Sequence, residues 1–357
     1  MKMWIVMCAA LLVTLCGCSR HAGAPAVAAR QITDPAPFLR AGDCFARWPS
    51  YDAWVDQVKA RNAWWNPKVL LLKQQFPRAD FERAQQQLEC SSIAYESDGL
   101  SISGWMLVPK GKPDRKLPVL IYNRGGNGSF GAVTFPMLMR NAFPYAERGF
   151  LVLVSQYRGV PEDDPKRSGT DQFGGDDVRD VSRLIELAKR LPNADPHNIF
   201  MLGVSRGGME SFMAARRSHD IKAMAVISGV SDLQTELKFR PEMEQVYLAR
   251  IPGYRTDKQR LLAERSVMAW AEDLPKDMPV LLLHGDKDER VSVANGIRLH
   301  QRLDQLQHPN RLIVYPGDDH FLSRHRDEAI DAVVGWFRAA MTATPDAAVS
   351  AAVSAKR

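Results

Sequence analysis

Between residues 118 and 341, short apolar runs alternate with longer segments of helical periodicity. The runs are Pro118 to Tyr122, Phe150 to Ser155, Ile199 to Val204, Ala223 to Ser228, Pro279 to His284 and Arg311 to Tyr315. Helical candidates lie between or after them at Gly175 to Arg190, Gly207 to Arg216, Val293 to Leu306 and His325 to Met341. Continuous apolar runs of this length belong to strands covered on both faces, whereas a half-solvated strand alternates apolar and polar residues. The pattern predicts an α/β domain with a mainly parallel central sheet and helices on both faces. Ahead of it, Ser91 to Glu96 and Leu100 to Val108 flank Asp98-Gly99 and predict a hairpin, because an Asp-Gly pair suits a tight turn with positive φ. One polar, largely helical insertion, Leu233 to Leu274, can form a small cap.

These signals place the main domain at residues 90–341. Residues 38–89 carry Trp48, Trp54, Trp64 and Trp65 among apolar residues at helical spacing. They predict an N-terminal helical segment, packed on the core or partly covering the site, with its aromatics used for packing. Residues 342–357 are an Ala/Ser/Val tail expected to be disordered.

The chain starts with Lys2, an apolar run from Met3 to Leu15, and Leu15-Cys16-Gly17-Cys18. The run is too short for a transmembrane helix and has the form of an export signal. The tetrapeptide resembles a bacterial lipobox, so residues 1–17 are expected to be removed and Cys18 lipidated. Residues 18–37, with Pro25, Pro35 and Pro37, would then tether the domain to a membrane facing the periplasm or cell exterior. Of the five cysteines only Cys44 and Cys90 would remain, either paired in an oxidising compartment or as two buried thiols. No CxxC or Cys/His cluster suggests a metal. No Walker lysine motif suggests a nucleotide cofactor. The 47 basic and 41 acidic residues are interspersed without a block of like charge, which argues against a nucleic-acid partner despite the net +6.

The chemistry centres on Gly203-Val204-Ser205-Arg206-Gly207-Gly208, directly after an apolar strand and before a helix. A turn sharp enough to expose a serine hydroxyl needs small residues two positions to either side, and Gly203 and Gly207 meet that need. A serine becomes nucleophilic when an imidazole accepts its proton. In a strand-turn-helix site of this kind the acid and then the base follow the serine, which leaves His284, His300, His308, His320 and His325. His320 is favoured because Gly317-Asp318-Asp319-His320 follows the last strand, with His325 in reserve. His300 and His308 read as solvated helix residues, and His284 as a structural hydrogen-bonding residue. For the acid, spacing alone leaves Asp286 and Asp288 open, and both are also compatible with surface pairing to Lys287 and Arg290.

Three blocks, G-x-S-x-G-G around Ser205, H-G-x-x-D-x-x-V from His284 to Val291 and G-x-x-H ending at His320, resemble the catalytic domain of the prolyl oligopeptidase family in the right order. The resemblance covers roughly residues 91–340. It implies an α/β-hydrolase fold, a serine hydrolase acting through an acyl-enzyme, and Asp288 as the catalytic acid. One oxyanion donor is expected at the backbone amide of Arg206. The other is expected from Asn123-Arg124-Gly125-Gly126-Asn127-Gly128, which is similar to the family's glycine-rich turn, with the amide of Arg124 or Gly125 favoured. Family peptidases usually carry a β-propeller ahead of this domain, whereas about 70 residues separate Cys18 from the first strand. A small peptide or ester is therefore the expected substrate, with a carboxylesterase or acyl transferase as alternative and a non-catalytic binding lipoprotein as the rival of another class. Glu236, Glu242 and Glu244 in the insertion read as solvated helix residues.

Overall fold

The computed structural model describes residues 38–60, 67–111, 115–160 and 168–342. The signal sequence, Cys18, the tether, Trp64, Trp65 and the tail beyond Thr342 lie outside these. The first element is a short strand, β1 (Arg40–Asp43), followed by α1 (Tyr51–Ala60), α2 (Pro67–Gln75) and α3 (Arg78–Gln87). Sequence reasoning expected helix throughout this segment. Four polar or small residues carry too little alternation to announce a strand, yet β1 gains backbone partners along β2 (Leu88–Ser97), from Arg40↔Ala94 to Asp43↔Ser91. A disulfide between Cys44 and Cys90 and a Cys44 N to Cys90 O hydrogen bond of 2.9 Å fasten this corner. Trp54, Phe81 and Phe45 are buried and pack on Phe135. None of the described residues of this segment lines the cavity beside Ser205.

β2 and β3 (Leu100–Pro109) form the expected hairpin, with Asp98 and Gly99 at φ 53° and 76°. The chain continues through β4 (Leu117–Asn123), α4 (Phe135–Asn141), α5 (Phe143–Glu147) and β5 (Leu151–Ser155). Helices α4 and α5 escaped the sequence reading because Pro136 and Pro144 look like breakers. Each sits in the first turn of its helix, where its missing N–H costs nothing. Then come α6 (Asp177–Ala188), β6 (Ala194–Val204), α7 (Arg206–Ala215), β7 (Ile221–Ile227), the insertion helices α8 (Leu233–Phe239), α9 (Met243–Arg250) and α10 (Lys258–Glu264), β8 (Val280–Gly285), α11 (Ala294–Gln305), β9 (Asn310–Tyr315) and α12 (Arg326–Thr342).

The nine strands among the described residues form one sheet in the order β1-β2-β3-β5-β4-β6-β7-β8-β9, parallel from β5 to β9 and antiparallel at the β1–β3 end and its β5 junction. Strand β6 explains the double-sided design: Ile199 and Met201 face the core under α6, α7 and α11, while Phe200 and Leu202 face the core under α4, α5 and α12. All four are buried, as a central parallel strand requires.

Candidate active site

Ser205 is the single residue between β6 and α7, at φ 57° and ψ −124°. A non-glycine residue in this region carries steric strain, which the surroundings must hold in place. Its amide donates to the Ile227 carbonyl at 2.9 Å. The neighbouring turn leaves no room for side chains: a Cβ on Gly203 would overlap the Gly207 carbonyl, and one on Gly207 would overlap that of Asn123. Ser205 lies on a cavity of about 470 Å3 that also receives His320 and the insertion residues Met243 and Tyr247.

The loops after β8 and β9 bring His320 and Asp288 together, with Nδ1 of His320 2.8 Å from Oδ2 of Asp288. A carboxylate only accepts, so this nitrogen carries the proton and leaves Nε2 as the basic face of the ring. Asp288 Oδ1 accepts the amides of Arg290 at 2.8 Å and Val291 at 2.9 Å. Burial pushes this carboxyl up, but hydrogen bonds from His284 and His320, the His320 charge and the Val291 amide outweigh it and hold it well below the usual carboxylate range. No described residue bonds Ser205 Oγ to the imidazole; such contacts commonly tighten when substrate arrives.

Asp286 is exposed and spends Oδ1 on the Gly317 amide at 2.7 Å, bracing the histidine loop from outside. Neither aspartate pairs with Lys287 or Arg290. His284 has a more specific place than a generic structural residue: its Nε2 lies 3.0 Å from the Val291 carbonyl and 3.2 Å from Asp288 Oδ2. Both neighbours are acceptors, so this nitrogen is also protonated. His325 is turned away, bonded to Asp318 at 2.8 Å and stacked on Tyr315. His308 is buried against the Met278 carbonyl, contrary to its solvated reading, and His300 meets Asn310. Glu236 also departs from its solvated reading. It is 2% exposed, accepts from Asn295 at 2.7 Å and lines the cavity, and burial pushes its carboxyl up to about 7. Glu242 and Glu244 are surface partners of Arg240 and Lys258.

The glycine-rich loop after β4 passes beside the serine. A Cβ on Gly125 would stand 3.0 Å from that of Ser205, so only glycine lets this backbone approach without pressing on the serine side chain. The amide of Arg206 is the first of α7, where N–H groups lack helical partners. Arg124 fixes the loop with its side chain: the buried guanidinium donates to the carbonyls of Gln156, Gly125, Phe130 and Gly128. Burial and then the charge of Arg206 lower its pKa to about 10, which leaves it cationic at neutral pH.

Sequence reasoning assigned Arg206 only its amide and missed its side chain. The guanidinium, 2% exposed, contacts Asp171 at 2.7 Å, Glu210 at 2.9 Å, Asp177, and the Gly126 carbonyl at 3.0 Å. Asp171 also accepts the Gly128 amide, so one buried ion pair ties the serine turn to the glycine loop. Only Glu210, four residues along the same helix, was within reach of a sequence rule.

The model of the prolyl oligopeptidase family matches residues 136–344. The chain belongs to this family. It is 28% identical to the uncharacterized peptidase YtmA of Bacillus subtilis over 68% of its own length and 90% of that protein. It is 24% identical to dipeptidyl-peptidase 5 of Porphyromonas gingivalis, over 63% of this chain and 34% of that one. Among solved structures, the acylaminoacyl peptidase of Pyrococcus horikoshii superposes with a TM-score of 0.60 at 22% identity, over 71% of this chain and 42% of that one. The chain therefore spans less than half of the longer relatives. This family member has the α/β-hydrolase fold and is a serine hydrolase.

Proposed function

We propose that this hydrolase cleaves short acyl esters and small peptides or peptide-like amides through an acyl-enzyme on Ser205. The observation that carries the reading is the 2.8 Å bond from His320 to a buried, ionised Asp288 on the cavity that holds the strained serine. His320 Nε2 accepts the Ser205 proton as Oγ bonds to the substrate carbonyl carbon. The resulting oxyanion accepts the amides of Arg206 and Gly125, donors whose individual loss typically costs about 3 to 4 kcal/mol of barrier. The scissile C–N or C–O bond then breaks as the imidazolium gives its proton to the leaving atom. Water, activated by the same imidazole, releases the acid and restores Ser205. Esters should react faster than matched amides, since an alkoxide leaves more readily than an amine. Strong aminoacyl amide cleavage with negligible ester turnover would favour a dedicated peptidase instead.

The direct test is labelling with a fluorophosphonate probe, expected for the wild type and absent in a folded Ser205→Ala variant. Labelling that survives the substitution refutes the assignment, and an unlabelled wild type favours the non-catalytic scaffold. The chain is further proposed to be an exported lipoprotein anchored through Cys18. Intact-mass analysis of membrane extracts should find an acylated N-terminal cysteine; an unprocessed cytosolic chain would contradict it.

A further inference from the structure

The cavity beside Ser205 holds six arginines, and four of them are accounted for. Arg124 is spent on backbone carbonyls, Arg206 on Asp171, Asp177 and Glu210, Arg240 on Glu242, and Arg290 lies over the Phe321 ring. The other two, Arg140 at the end of α4 and Arg326 at the start of α12, are neighbours: Arg326 Nη2 donates to the Arg140 carbonyl at 2.9 Å. Among the described residues neither forms an ion pair with a carboxylate; Arg140 reaches only the Ser323 hydroxyl, at 3.4 Å. Nε of Arg326 is shielded from solvent and has no hydrogen-bond partner. Asp327 and Asp80 act on Arg326 only at longer range, and Asp80 is engaged by Arg83 at 2.8 Å.

Two half-buried arginines lining one cavity, neither paired with a carboxylate among the described residues, are unfavourable in the protein alone. Burial and the neighbouring like charge both act against the Arg326 cation. An unmet buried N–H carries a desolvation cost that an incoming acceptor removes. A carboxylate is the natural complement, since it can take two parallel N–H donors from a guanidinium.

Position decides which part of the substrate bears that carboxylate. His320, Phe321, Leu322 and Arg326 lie on one stretch of chain leading into α12, and all line the cavity. The wall continues through Tyr122, Tyr145 and Ile330, which belong to the core under α4, α5 and α12. The opposite wall, with Phe173, Val230 and Tyr247, belongs to the core on the other face of the sheet. The imidazolium of His320 must protonate the leaving atom, so the leaving group lies along the histidine wall and the acyl group along the other.

We propose that Arg140 and Arg326 form a subsite for a free carboxylate on the leaving group, making short peptides cleaved next to their C-terminus the preferred amide substrates. This rests on the acyl-enzyme reading above. In the reaction the peptide C–N bond breaks, the acyl carbon passes to Ser205 Oγ, and the released amino acid leaves with its carboxylate on the arginine pair and its amine protonated through His320.

The test compares kcat/KM for N-acylated dipeptides ending in a free acid with the same dipeptides ending in a carboxamide. The ratio within one protein does not depend on how much of it is folded. Wild type should prefer the acids roughly 10- to 100-fold, the range for hydrogen bonds to a charged group. Arg326→Gln and Arg140→Gln should each bring the ratio towards one. Equal turnover of acid and amide by the wild type overturns the subsite, and so does a ratio untouched by both substitutions. A carboxylate effect seen only with N-succinyl acyl groups overturns its placement on the leaving side. If neither dipeptide is cleaved while the fluorophosphonate still labels Ser205, the subsite fails and the hydrolase reading stands. If labelling also fails, both fall.

Discussion

Replacing Asp288 by Asn tests the proposed catalytic pair at its most informative atom. The wild-type carboxylate accepts four N–H groups, two backbone amides at Oδ1 and two imidazole nitrogens at Oδ2. Asparagine offers one oxygen and one NH2 group. If the oxygen keeps the amides of Arg290 and Val291, the NH2 faces His320 Nδ1 and drives the ring to the other tautomer, with Nε2 protonated and unable to accept from Ser205. The reverse orientation sets NH2 against two backbone donors, each left unmet at about 1 to 3 kcal/mol, so the first arrangement prevails. The expected loss in kcat is then about 10,000-fold by analogy with other serine triads, or roughly 5 kcal/mol of barrier. Stability should fall by only about 1.5 to 3 kcal/mol through the lost charge-assisted bonds. Asp286→Asn is the control: its one bond to Gly317 survives in an amide oxygen, and turnover should stay within about threefold. Steady-state kinetics on one ester, with thermal unfolding of each variant, decides the matter. Equal losses at the two positions, or an Asp288→Asn protein retaining a tenth of wild-type turnover, would refute the reasoning. The depressed pKa of Asp288 sets the sign of its pH effect: its stabilisation is present above the unfolded value near 3.9 and is lost as pH falls through the lower folded value.

Two further outcomes probe the scaffold. Burial, and then the charge of Asp177, push the Glu210 carboxyl well above its ordinary range, so the stabilisation tied to its proton is complete below the unfolded pKa near 4.3 and is lost as pH rises towards the folded one. Glu210→Gln should flatten the decline in unfolding free energy as pH rises above the unfolded value, a slope of up to about 1.4 kcal/mol per unit; denaturant titrations with an unchanged slope would mean that the wild-type group is ionised. The Cys44–Cys90 disulfide spans 46 residues of sequence, for which chain entropy gives about 4 kcal/mol. A Cys44→Ser/Cys90→Ser variant should lose roughly that in equilibrium unfolding while keeping its turnover, as neither residue lines the cavity; a loss below about 1 kcal/mol would show that other contacts hold this corner.

Some of this protein is written locally. The parallel strands, the Asp98-Gly99 hairpin, the serine turn and the order of the proposed serine, acid and base are legible because they depend on residues one to five positions apart: apolar runs, glycines two places from Ser205, a histidine at a strand exit. The edge strand β1 and the proline-started helices α4 and α5 were not legible, since their formation depends on a partner strand and on the face they cover. Spacing could not choose Asp288 over Asp286; family resemblance pointed to Asp288, and folding shows that one faces His320 and the other Gly317. The same holds for the buried side chains of Arg206 and Glu236 and for the exposed-looking Arg140 and Arg326. A charge written in sequence carries no sign of its burial or partner: Arg206 meets Asp171 and Asp177 across 35 and 29 residues, and Arg140 meets Arg326 across 186, distances over which only the packing of the sheet and its two helical layers sets one side chain against another.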